Sequence, residues 1–198
     1  MNLPNRLTMA RLVMAFLFVG LMSVDHVATY AAAYLVFIAA TITDYYDGKI
    51  ARERGLVTNF GKLLDPVADK VLLVGAFVIL MMLPGLSIPA WAVVVIIGRE
   101  FLITGARSLA ATDGIVIAAN KWGKRKAFIQ MLYVYTFLFL AIVERVFEKW
   151  LPGVAGGFAW LLSHTSYWAA VVVVAYTVYS GYQFARVNWS ALKLGDAI

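Results

Sequence analysis

Six apolar stretches, at roughly 12–23, 30–43, 67–83, 88–109, 128–146 and 155–182, constrain the fold of this 198-residue chain more than any other feature. Each is apolar all round, without the two-residue alternation that a membrane β-strand shows over about ten residues. Inside hydrocarbon every backbone N–H and C=O needs a partner, and a lone segment supplies all of them only as a helix. A span takes about 20 residues. The first two runs are shorter, so their helices extend into polar flanks, the first from near Leu7 and the second to about Arg52. Pro84-Gly85, Pro89 and Pro152-Gly153 stand in the breaks, where turn formers belong. The fold class is therefore all-α and integral to the membrane. It is a single domain, 1–198, of six transmembrane helices with a short N-terminal interfacial segment around Leu3, Pro4, Arg6 and Leu7.

Polar surface is too scarce for a soluble globule. Hydrophobic residues make up 63% and charged residues 14%, against about half and one quarter in a soluble domain. The absence of cysteine excludes a disulfide framework and a thiolate metal site. The net charge of +6 points to anionic membrane lipids and an anionic substrate, not to nucleic acid. The first run reads as a retained span and not a cleaved signal, because the same hydropathy pattern recurs down the chain. With the N-terminus in the cytoplasm, Arg145 and Lys149 fall in outer loops and Arg99 within a span, and the remaining 14 of 17 Lys and Arg residues sit at cytoplasmic helix ends. The positive-inside rule favours that orientation, in an inner (cell) membrane.

Asp44, Asp47, Asp65 and Asp69 stand at the ends of the second and third runs. A charge deep in a membrane helix costs roughly 2.5–3.5 kcal/mol on insertion scales, so four clustered acids need compensation. Asp44, Asp47, Gly48 and Ala51 recur at three and four residues and share one face of helix 2. Asp65 and Asp69 share a face of helix 3, with Pro66 in its first turn and Asp65 as its cap. The short connection makes helices 2 and 3 antiparallel neighbours whose acidic faces meet on the cytoplasmic side. Four hard oxygen donors suit two divalent cations such as magnesium, manganese or calcium, the arrangement of two-metal phosphoryl transfer. Ion pairing with Arg52, Arg54, Lys62 and Lys70 accounts for one or two of the acids, not for the matched 44/47 and 65/69 spacing. Gly48, Ala51 and Gly61 allow either close helix packing or a nucleotide against the backbone.

A second, cationic group lies further on. Arg99 interrupts the fourth run and stands eight residues from Arg107, on roughly the same helical face. Lys124 and Lys126 open helix 5 nearby. An anion fits among them, and a guanidinium fork suits phosphate. A salt bridge to Glu100 is the plain alternative for Arg99, and ordinary cytoplasmic loop charge for the lysines. Asn5 and Thr8 flank the entry to helix 1, where capping is the plain reading. His26 and His164 carry no catalytic role, and Trp122, Trp150, Trp160 and Trp168 suit interfacial belts.

The pattern D-x-x-D-G-x-x-A-R-x8-G-x3-D-x3-D, carried by Asp44, Asp47, Gly48, Ala51, Arg52, Gly61, Asp65 and Asp69, resembles the signature of the CDP-alcohol phosphotransferases at every motif position. The segments around Asn5, Thr8 and Arg11, from Gly98-Arg99-Glu100 to Arg107, and from Ala119 through Gly123-Lys124 to Lys126 resemble the branch of that family that uses glycerol 3-phosphate. The likeness covers most of the chain up to about Gln130. It implies the six-helix fold of that family, a homodimer, and two divalent cations (Mg2+ or Mn2+). It also implies passage of the phosphatidyl group of CDP-diacylglycerol to a hydroxyl of sn-glycerol 3-phosphate, with release of CMP. By the same resemblance Asp44 and Asp65 touch both cations, Asp47 one and Asp69 the other, and Asp69 is also the general base. Asn5, Thr8, Gly48, Ala51, Arg52, Thr58 and Gly61 would contact the CDP-lipid, and Arg99, Arg107, Lys124 and Lys126 the acceptor phosphate. Two other readings stay open: the same chemistry toward inositol phosphate, serine or a lipid, and a divalent-cation transporter built on the same acids.

Overall fold

Apolar side chains coat this molecule, and polar ones fill part of its interior. The computed structural model describes residues 3–53, 59–112, 114–115, 117–118 and 120–189, with the side chains at 3–4, 45–53, 59–63 and 65 outside that description. The described residues form six α-helices and no strand: α1 (Leu3–Met22), α2 (Val27–Glu53), α3 (Asn59–Met82), α4 (Ala90–Thr112), α5 (Lys121–Trp150) and α6 (Pro152–Val187). Phe16, Val94, Leu102, Phe128, Trp160 and Val172 stand exposed, whereas Arg11, Lys126, Gln130, Glu144 and Thr177 are buried. A soluble protein shows the reverse distribution. Helices α1, α2, α5 and α6 are each long and apolar enough to cross a membrane. In α3 and α4 the apolar length is interrupted by Asp65, Asp69 and Lys70 and by Arg99, Glu100 and Arg107.

The starts of α1, α3 and α5 share one end of the bundle with the ends of α2, α4 and α6. Arg11 meets Asp44 and Asp69 there, Lys126 meets Glu100, and Arg107 lies over the Phe184 ring. At the other end Arg145 meets Asp25, and Ser87 meets Ser163. Helix α1 packs chiefly on α2 and α3, and α6 on α4 and α5. The buried face of α1 is a single stripe at three- and four-residue spacing: Asn5, Thr8, Arg11, Ala15, Phe18 and Met22. Its first half is polar and its second half apolar. Phe18 carries the apolar half into the core, its ring centroid 5.3 Å from that of Phe37.

Several expectations change in detail. Helix α1 starts at Leu3, so residues 3–7 are its first turns and not a separate interfacial element. Asn5 and Thr8 therefore do not cap the helix; they lie inside it, buried on the stripe that faces α2 and α3. Helix α3 starts at Asn59, which places Pro66 in its interior and removes Asp65 from the cap position. Direct contact between α2 and α3 is slight, because α1 packs against both. The physical reason is charge: two acidic faces repel when adjacent, and a cationic residue of a third helix relieves that. Helix α5 opens as its sequence suggests, with Asn120 Oδ1 accepting the Gly123 N–H at 2.8 Å.

Candidate active site

Asp44 of α2 and Asp69 of α3 approach one guanidinium. Arg11 Nη1 lies 2.7 Å from Asp44 Oδ1 and also donates to Asp69 Oδ1. The Arg11 side chain is 1% exposed, whereas both carboxylates are about half exposed, at 52% and 50%, and line a cavity of about 400 Å³. A cation buried that deeply is tolerated only with close acidic partners, and α2 and α3 each supply one. Thr41, one turn before Asp44, shares a hydroxyl–hydroxyl hydrogen bond with Tyr135 of α5 and also bonds back to the carbonyls of Phe37 and Ile38. These bonds fix the α2 wall against α5. On α3, Lys70 Nζ donates to the Pro66 carbonyl at 3.1 Å, giving the ammonium a partner beside the two acids.

Carboxylates from two helices that reach the same positive centre form a donor set of the kind that holds a hard divalent cation. Asp47 and Asp65 lie one helical turn from Asp44 and Asp69 along α2 and α3. Their side chains fall outside the described residues, as do those of Ala51 and Arg52 and the surroundings of Gly48 and Gly61, and Thr58 lies outside them altogether. Among the described residues no group of three or more acids, histidines or cysteines gathers.

The same cavity is lined by a second group, Glu100 of α4 and Lys126 and Gln130 of α5. Lys126 is buried and ion-paired to Glu100. Gln130 is buried and donates through Nε2 to Thr177 Oγ1 of α6 at 3.2 Å. Arg99 also reaches Glu100, at 3.5 Å, but its main contact is with α6, where Nη2 donates to Ser180 Oγ at 2.8 Å. Arg107 follows Arg99 onto the same side, 5.3 Å from the Phe184 ring centre. Of the four expected phosphate-binding residues the structure thus puts Lys126 on the cavity wall, Arg99 and Arg107 behind that wall toward α6, and Lys124 exposed in the first turn of α5.

Sequence reasoning gave Arg11, Glu100 and Gln130 no place in the site. Arg11 had a signal: an arginine within the first span, on the face of Asn5 and Thr8 at three-residue spacing. Gln130 had none beyond its polarity within an apolar run.

The fold and this cavity define an integral membrane protein of helical bundle type, with carboxylates and an ammonium lining one pocket. The chain belongs to the CDP-alcohol phosphatidyltransferase family, whose model matches residues 1–161. It is 39% identical to the CDP-diacylglycerol–glycerol-3-phosphate 3-phosphatidyltransferase of Bacillus subtilis strain 168, over 98% of this chain and 99% of that protein. It is 34% identical to the protein of the same name from Pseudomonas fluorescens, over 98% and 93% of the two chains. A third of that name, from Rickettsia prowazekii strain Madrid E, is 39% identical over 66% of this chain and 71% of its own. Membership of this family makes the chain a phosphatidyltransferase and not a cation transporter, and the family is generally dependent on divalent cations.

Proposed function

We propose that this protein transfers the phosphatidyl group of CDP-diacylglycerol to sn-glycerol 3-phosphate, releasing CMP and forming phosphatidylglycerophosphate. The observation that carries the reading is a single cavity lined by the carboxylates of Asp44 and Asp69 and by the Lys126 ammonium. Relatives of that name that align along nearly the whole chain support it.

Asp44, Asp47, Asp65 and Asp69 would hold two divalent cations, magnesium or manganese, which when bound neutralise the donor pyrophosphate and the departing CMP. Asn5, Thr8, Gly48, Ala51, Arg52, Thr58 and Gly61 receive the CDP portion; Asn5 and Thr8 lie on the Arg11 face of α1. Lys126 draws the acceptor phosphate into the cavity, with Arg99, Arg107 and Lys124 adding positive charge. The Nε atoms of Arg99 and Arg107 are buried without a hydrogen-bond partner among the described residues, and a phosphate satisfies such spare donors. Held by its phosphate, the acceptor presents a hydroxyl to Asp69. The hydroxyl oxygen bonds to the phosphorus that carries diacylglycerol, the bond from that phosphorus to the CMP oxygen breaks, and the hydroxyl proton passes to Asp69. The lipid tails stay in the bilayer throughout. We read all six helices as spans, the N-terminus and the cavity as cytoplasmic, and the working unit as a homodimer.

The test is CMP release by purified protein in detergent–lipid micelles with CDP-diacylglycerol and magnesium, with and without glycerol 3-phosphate. Release that requires glycerol 3-phosphate and falls away on chelation is expected. Release with serine or an inositol phosphate alone would replace the acceptor, and release with none of them would overturn the reaction.

A further inference from the structure

Glu100 has no part in the transfer as derived above, yet among the described residues it is the acid paired with Arg99 and Lys126. Its Oε1 is shared by Lys126 of α5 and Arg99 of its own helix, and its side chain lines the cavity. Lys126 is otherwise placed poorly for a lysine. It is 4% exposed and stands near Arg99 and Arg107, in a membrane helix where an ammonium would rather extend toward water. We infer that Glu100 is a positioning residue for the acceptor: its carboxylate holds the Lys126 ammonium at the cavity wall and sets the charge of the subsite to suit a phosphate monoester.

Two observations carry the inference. The first is connectivity. Glu100 joins α4 to α5, and through Arg99 and Ser180 it joins both to α6. The ammonium therefore has a fixed tether, and among the described residues two of its three N–H donors remain for a ligand. The second is charge. Arg99, Arg107 and Lys126 contribute three positive charges and Glu100 one negative, leaving a net +2. A phosphate monoester carries about −1.5 to −2 at pH 7, so the subsite and its ligand come close to neutral together. Without Glu100 the like charges repel one another, and the long lysine stem leaves the wall.

This inference rests on the acceptor reading of the preceding section, and its test separates the two. The full chain in lipid micelles is assayed for CMP release as wild type, Glu100→Gln, Glu100→Asp, Lys126→Met and the Glu100→Gln/Lys126→Met double variant. Each is titrated with glycerol 3-phosphate at saturating CDP-diacylglycerol, and the reverse. Glu100→Gln is expected to raise the KM for glycerol 3-phosphate about ten- to a hundredfold, the size of a charge-assisted contact. The KM for CDP-diacylglycerol should stay within about twofold, because the donor meets other residues. Glu100→Asp should recover part of the loss, and the double variant should be no worse than Lys126→Met, since Glu100 works through that residue. A wild-type acceptor KM in Glu100→Gln, equal damage toward both substrates, or additive losses in the double variant would each overturn the positioning role. If Glu100→Gln does not fold, Glu100→Asp decides: it keeps the charge one methylene short, and an unshifted acceptor KM counts against the role. Wild-type protein that releases no CMP with glycerol 3-phosphate removes the acceptor reading itself, and this inference with it.

Discussion

The two ends of the helical bundle both carry ion pairs and treat them differently. At the cavity end the cations are buried and their partners come from other helices, with Arg11 on Asp44 and Asp69 and Lys126 on Glu100. At the far end Arg145 pairs with Asp25 at 2.9 Å and with Glu148, one turn along its own helix, at 2.6 Å. Those acids are largely open to solvent, at 68% and 47% side-chain exposure, and Arg145 also lies over the Tyr30 ring. The far-end cluster ties the α1–α2 turn to α5, a modest structural contribution of the kind exposed pairs make. Buried pairs, in contrast, commonly lose more by desolvation than they gain by attraction. Their presence around a cavity is understandable when the charges serve a ligand and not the fold.

Five substitutions sharpen this contrast. The largest effect is expected from Asp69→Asn, which removes the proposed base and should lower kcat by roughly 10²–10⁴-fold, read as CMP release by the folded fraction. Next come Arg99→Ala and Arg107→Ala, each expected to raise the KM for glycerol 3-phosphate about tenfold or more, as loss of a charge-assisted phosphate contact would; near-normal kinetics in both would place the acceptor phosphate on Lys126 alone. Gly85→Ala tests the far end. A Cβ there would run into the buried Glu144 carboxylate, so thermal stability should fall by about 1–3 kcal/mol from overpacking while the acceptor and donor KM values hold. Smallest is Arg145→Ala, at most about 1 kcal/mol of stability for exposed pairs and no change in turnover. A strong loss of activity in Arg145→Ala would break the division between the two ends.

Much of this was legible in the sequence because hydropathy and short-range spacing are local. The extension of α2 beyond its apolar run to Glu53 followed from the length a span requires, and the placement of Asp44 and Asp69 at one end of the bundle followed from helix order. What the sequence concealed were relations among three helices. Pro66 and Asp65 looked like the start of α3 because proline and aspartate favour first turns, yet 59–64 form the turns before them. Asn5 and Thr8 looked like caps for the same reason and proved to be interior to α1. The eight-residue spacing of Arg99 and Arg107 correctly put them on one face, but periodicity does not say which neighbour that face meets; here it is α6, through Ser180 and Phe184. The role of Arg11 was hidden because its partners lie on two other helices, one and two connections further along the chain.

That last arrangement bears on the order in which the protein comes into being. Arg11 sits in the first helix made, 58 residues ahead of Asp69. Synthesis from the N-terminus delivers α1 to the bilayer before either acid exists. In that interval its guanidinium is close enough to the helix end to reach the headgroup layer. It is drawn inward only as Asp44 and then Asp69 arrive. The cavity is thus a late product of insertion, complete only when α5 has entered, and a ribosome stalled after α2 would leave behind a helical hairpin with Arg11 paired to Asp44 alone.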